Sequence, residues 1–163
     1  MATDLSDVAL HSLASQLLAG LAARGWTVGL AESLTGGLVT ATLVSVPGAS
    51  AHVRGAVVAY ATELKHAILG VDAGLLDAHG PVHPEVARQM AEGARRVTDS
   101  DVGLSTTGIA GPDSPDGQPV GTVHIGIATP AGCTVHSLVL PGDRDAVRRG
   151  SVRAALEAAP ASL

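Results

Sequence analysis

The junction between residues 27 and 44 constrains this chain most. A short apolar run, Thr27 to Ala31, opens into Glu32-Ser33-Leu34-Thr35-Gly36-Gly37, and a helix-compatible run follows through Val44. Strand, tight glycine-containing turn and helix in that order form the repeating unit of α/β folds. The unit leaves Ser33 at the carboxyl end of a strand, where open α/β sheets collect their ligands.

The rest of the chain alternates in the same way. Leu10, Leu13, Leu17 and Leu21 recur at helical spacing up to Gly25, a natural stop. The Val-rich stretch Gly55 to Ala61 predicts a strand, Glu63 to Leu69 a short helix closed by Gly70, and Pro84 to Thr98 a longer helix with Val86, Met90, Ala94 and Val97 on its apolar face. Asp101 to Thr107 predicts a strand that enters Thr107-Gly108-Ile109-Ala110-Gly111-Pro112 and then a polar loop to Gly121. Val123, Ile125 and Ile127 alternate with smaller residues, Pro130-Ala131-Gly132 turns the chain, and a second alternating run ends at Leu140, which is a β-hairpin pattern. Asp143 caps a last helix whose apolar side is Val147, Val152, Ala155 and Leu156. Interleaved in this way, the elements predict a three-layer α/β/α sandwich around a mixed sheet, with residues 1–163 as a single domain.

Composition narrows the chemistry. With no Phe and one each of Trp and Tyr, the core has to be built from Ala, Val and Leu. A net charge of −5 without runs of Lys or Arg gives no footprint for nucleic acid. Cys133 is the only cysteine, so neither an internal disulfide nor a multi-thiolate zinc site can form within one chain. No apolar run reaches the length of a membrane span and no signal peptide pattern opens the chain, which predicts a soluble cytoplasmic protein without a membrane partner. His79 and His83 are separated by Gly80-Pro81 and share no continuous helical face, so no metal is expected. Asp113, Asp116 and Gly117 lack the repeated ligands of a calcium loop and read as a polar loop.

Ser33 suits a nucleophile or a phosphate contact, and the helix start behind Gly36 and Gly37 offers N–H groups to an anion. The same pattern also fits a Ser33 or Thr35 that merely caps the next helix. A serine nucleophile requires a base, and a neutral lysine is an accepted alternative to histidine. Lys65 is the only lysine, five residues after Tyr60, while arginine supplies every other permanent positive charge. An arginine-biased composition is the alternative account of that count. Burial beside Ser33 would lower the lysine pKa and fit it for base catalysis, a task arginine cannot perform. Thr107 to Pro112 could add backbone N–H donors for an oxyanion or could be a simple Gly-Pro turn. Arg144, Arg148 and Arg149 at the start of the last helix could pair with phosphate or form a solvated face.

The segments Ala31-Glu32-Ser33-Leu34-Thr35-Gly36-Gly37, Val46-Pro47-Gly48-Ala49-Ser50, Tyr60 to Lys65, Leu69-Gly70-Val71, Thr107 to Pro112 and Val120-Gly121-Thr122-Val123 together resemble, in order and spacing, the CinA carboxy-terminal domain family. The resemblance covers essentially the whole chain, and longer relatives carry in addition an amino-terminal nucleotide-processing domain. It implies an α/β sandwich, commonly a homo-oligomer, and a nicotinamide-nucleotide amidohydrolase that converts nicotinamide mononucleotide to nicotinate mononucleotide and ammonia without metal, redox step or cofactor. Carried over by matching motif, Ser33 is the nucleophile, Lys65 the base and Tyr60 a hydroxyl that supports proton transfer or positions the pair. Thr107 and Gly108 frame the amide. Thr35, Gly36 and Gly37 with Arg144, or Arg148 in reserve, receive the nucleotide. The sequence departs from the family at Leu34, where relatives often have Cys, and at His83, where a helix-capping Ser is frequent. A non-catalytic nucleotide-binding module, an amidase for another small amide and a DNA-associated role are the competing readings.

Overall fold

The computed structural model describes residues 4–114 and 117–163. Asp116, part of the cation-loop pattern considered above, lies outside the described residues. Five strands form one sheet: β1 (Val28–Glu32), β2 (Val53–Val58), β3 (Val102–Gly108), β4 (Thr122–Thr129) and β5 (Gly132–Val139), in spatial order β2-β1-β3-β4-β5. β2, β1 and β3 run parallel, whereas β3, β4 and β5 are antiparallel, so the sheet is mixed and ends in the hairpin read from the sequence.

Helices cover both faces. On one side lie α1 (Asp7–Arg24), α2 (Leu38–Val44) and α6 (Arg144–Ser162), which bury Leu17, Leu21, Leu43, Val147 and Leu156 against the sheet in one aliphatic cluster. On the other lies α5 (Pro84–Thr98), whose Val86, Met90 and Ala94 pack with Leu69 and Leu76 from the segment of α3 (Thr62–Ala67) and α4 (Ala73–His79). β1 and β4 are buried along their whole length because each is covered on both faces.

At two points the backbone of α5 lies directly against the sheet. A side chain at Gly103 of β3 would collide with the Ala91 carbonyl of α5, and one at Gly126 of β4 with the Ala87 carbonyl. At these two crossings a strand side chain has no room, and glycine is what fits.

One local reading is corrected and two features are added. β2 stops at Val58, so Ala59 to Ala61 is not strand; this frees the carbonyls of Ala59 and Tyr60 to turn toward Lys65. α4 was not anticipated, although Asp72 starts it by accepting from the Leu75 N–H. His83, which stands in place of a capping Ser, caps α5 itself: its Nδ1 accepts from the Glu85 N–H at 3.1 Å.

Candidate active site

The parallel half of the sheet fixes the site. The Ser33 N–H donates to the Thr106 carbonyl at 3.0 Å, and the Ala59 N–H donates to the Glu32 carbonyl at 2.9 Å, so the carboxyl ends of β3, β1 and β2 are tied side by side. Lys65, in the helix that follows β2, is thereby brought beside Ser33. Its Nζ lies 3.1 Å from Ser33 Oγ, 2.7 Å from the Ala59 carbonyl and 3.5 Å from the Tyr60 carbonyl. Lys65 is 1% exposed and has no carboxylate within ion-pair distance among the described residues. Burial lowers its pKa from the ordinary lysine value to about 8, with Glu63 pulling weakly the other way.

Nζ donates toward three oxygens, the two backbone carbonyls and Ser33 Oγ, which satisfies the charged amine. Once the proton is lost, two N–H groups still serve the carbonyls and the lone pair turns to the Ser33 hydroxyl proton. The pair stands at the base of a pocket of about 250 Å³ whose walls include Leu34, Val82, Thr107, Ile109, Ala110 and Arg144. The backbone N–H groups of Leu34, Ala110 and Gly111 face no acceptor among the described residues. Unpaired N–H donors of this kind can stabilise an oxyanion where they point at the reacting carbon.

Glu32, quoted in the sequence motif without a role, proves central. Its carboxylate is wholly buried and accepts from the N–H groups of Gly37, Val39 and Thr40 and from the Thr40 hydroxyl, at 2.6 to 3.1 Å. The start of α2 is therefore filled from within the chain. The Gly36 N–H donates to the Ser33 carbonyl and the Leu38 N–H to the Thr35 carbonyl. This corrects the expectation that Gly36 and Gly37 present N–H groups to a substrate anion: the donors exist, but Glu32 and the turn consume them. The signal was an acid followed by a Gly-Gly helix start, the arrangement in which a carboxylate satisfies orphan amides.

Thr35, fully buried, bonds the Thr106 hydroxyl at 2.7 Å and so stitches the turn to β3 without lining the pocket. Arg148 donates to the Leu34 and Thr35 carbonyls at 3.1 Å each, which braces the turn from behind, and it does not line the pocket. Thr107 and Gly108 do line the pocket, but the Thr107 hydroxyl donates to the Pro81 carbonyl at 2.7 Å. Tyr60 is 61% exposed, and its hydroxyl accepts from Arg144 at 3.0 Å. The hydroxyl therefore belongs to the mouth of the pocket; what Tyr60 brings to Lys65 is its backbone carbonyl. Arg144 also donates to the Gly111 carbonyl at 2.6 Å, which holds its guanidinium at the mouth. Pro81, Val82 and Asp113 complete the lining and were not singled out as site residues.

The groups gathered here can do serine chemistry at an acyl carbon. No cluster of three or more His, Cys, Asp or Glu side chains able to hold a metal ion occurs among the described residues. No helix among them is long and apolar enough to cross a membrane.

Comparison with known proteins places this geometry. The sequence profile of the CinA C-terminal domain matches residues 10–163. A CinA-like protein of Frankia casuarinae is 49% identical over 146 residues, covering 90% of this chain and 34% of the relative. A putative competence-damage inducible protein of Geobacillus kaustophilus is 49% identical over 139 residues, 85% of this chain and 34% of the relative. The chain thus spans about a third of the length of these curated relatives. Among solved structures, the competence/damage inducible protein CihA from Agrobacterium tumefaciens superposes with a TM-score of 0.89 at 33% identity, covering 97% of this chain and 96% of that one.

Proposed function

Because the chain belongs to the CinA C-terminal domain family, we propose that it is an amidohydrolase that uses Ser33 and Lys65 to convert nicotinamide mononucleotide to nicotinate mononucleotide and ammonia. One observation carries the reading: a lysine sealed from water, without a counter-ion among the described residues, in hydrogen-bond contact with a strand-end serine inside a pocket.

Ser33 Oγ attacks the carboxamide carbon while its proton passes to Lys65 Nζ. Backbone N–H groups of Leu34, Ala110 or Gly111 receive the negative oxygen of the tetrahedral intermediate. The lysine proton then moves to the departing nitrogen, the C–N bond breaks, ammonia leaves and a nicotinoyl ester remains on Ser33. Neutral Lys65 next takes a proton from water, hydroxide adds to the ester, and collapse releases the carboxylate with Ser33 protonated again. Arg144 at the mouth is the cation for the phosphate.

Two measurements test this reading. The protein is expected to release ammonia from nicotinamide mononucleotide and far less from free nicotinamide, which lacks the part Arg144 holds. The rate under kcat/KM conditions is expected to rise with pH through about 8 and then level, because only neutral Lys65 can accept the serine proton. A profile flat from pH 6 to about 9 would exclude lysine as the base.

A further inference from the structure

Asp113 is the one acidic side chain lining the pocket among the described residues, and no hydrogen-bond or ion-pair partner holds it there. Several other carboxylates of the fold have structural duties. Glu32 satisfies the start of α2, Asp72 and Asp143 cap α4 and α6, and Asp101 accepts from the Thr27 N–H and hydroxyl. Asp113 has none among the described residues, and it follows Gly111, whose carbonyl accepts from Arg144, by two residues, so acid and guanidinium line the same pocket.

We propose that Asp113 is a specificity residue that accepts hydrogen bonds from the vicinal hydroxyls of the substrate ribose. The inference rests on the nucleotide reading above and extends it. With the carboxamide at Ser33 and the phosphate at Arg144, the ribose is the part of the ligand that lies between floor and rim. Its 2′ and 3′ hydroxyls are two donors side by side, and a carboxylate presents two acceptors at matching spacing. A carboxylate on a ribose diol is also how dinucleotide folds read that sugar.

Ammonia release by the wild type, Asp113→Ala and Asp113→Asn is measured with nicotinamide mononucleotide and with its 2′,3′-dideoxy analogue. Loss of a charge-assisted hydrogen bond predicts that Asp113→Ala raises KM for the natural nucleotide at least about tenfold, with kcat within about twofold, and that Asp113→Asn lies between. The dideoxy analogue is expected to have a high KM that is the same for all three proteins. An unchanged KM in Asp113→Ala overturns the inference. So does an equal KM increase with both substrates, which would mean that Asp113 attracts the positive pyridinium ring. If the wild type releases no ammonia from either compound, the nucleotide reading itself has failed, a result distinct from both. Asp113 is exposed, so thermal midpoints equal to the wild type are expected and confirm that the variants fold.

Discussion

Ser33→Ala and Lys65→Met are each expected to lower turnover by roughly 10³- to 10⁴-fold, and the double variant is expected to fall no further than the worse of the two, because the residues act as one unit. The 3.1 Å contact makes each useless without the other: the serine loses its proton acceptor, or the amine loses the hydroxyl it activates. Additive losses in the double variant would show two independent roles.

The same substitution has a stability signature. In the folded chain Lys65 titrates at about 8, whereas an unfolded lysine titrates near 10.4. Below pH 8 the amine is charged in both states and folding carries the full cost of burying that charge. Between about 8 and 10.4 the folded state has released its proton while the unfolded state keeps it, so stability rises with pH. The rise amounts to about 3 kcal/mol. All other titrating groups are common to wild type and Lys65→Met, so the difference between their denaturant midpoints at pH 7 and pH 10.4 isolates this contribution. Parallel pH dependence in the two proteins would mean that Lys65 is not held near 8.

What the sequence revealed depended on whether the signal was local. The strand–turn–helix at Ser33 and the hairpin at Pro130-Ala131-Gly132 were legible because period and turn chemistry sit within a few residues of each other. Lys65 stood out by its count alone, but its contact with Ser33 comes from β1 and β2 lying side by side, which no local pattern encodes. The arginines were less legible still. Arg144 and Arg148, one helical turn apart, face a pocket mouth and the back of a turn respectively, and their division of labour is set by where α6 crosses the sheet. Tyr60 was assigned by its hydroxyl, yet the end of β2 at Val58 makes its carbonyl the part that meets the lysine. Glu32 was hidden because a buried carboxylate is exceptional and only its partners explain it.

Those partners give Glu32→Gln and Glu32→Ala the largest expected effects on stability. Oε2 accepts from Gly37 and Val39, while Oε1 accepts from the Thr40 N–H and hydroxyl. In glutamine one oxygen becomes an NH₂ group. Placed at Oε2 it meets two N–H donors; placed at Oε1 it meets one, and the Thr40 hydroxyl can turn round to accept from it. The second orientation is the cheaper, so Glu32→Gln is expected to cost about 1.5 to 3 kcal/mol, the value of one hydrogen bond to a charged acceptor. Glu32→Ala leaves three N–H groups without a partner beside a cavity and is expected to cost more than about 4 kcal/mol. Urea midpoints give both numbers. Because the same carboxylate fixes the start of α2 and hence the turn after Ser33, kcat of folded Glu32→Gln is expected to fall while KM for nicotinamide mononucleotide holds, since the pocket mouth at Arg144 is untouched. A variant destabilised as stated but with full kcat would make Glu32 a purely structural cap, and the serine turn would then owe its placement to Thr35 and Arg148.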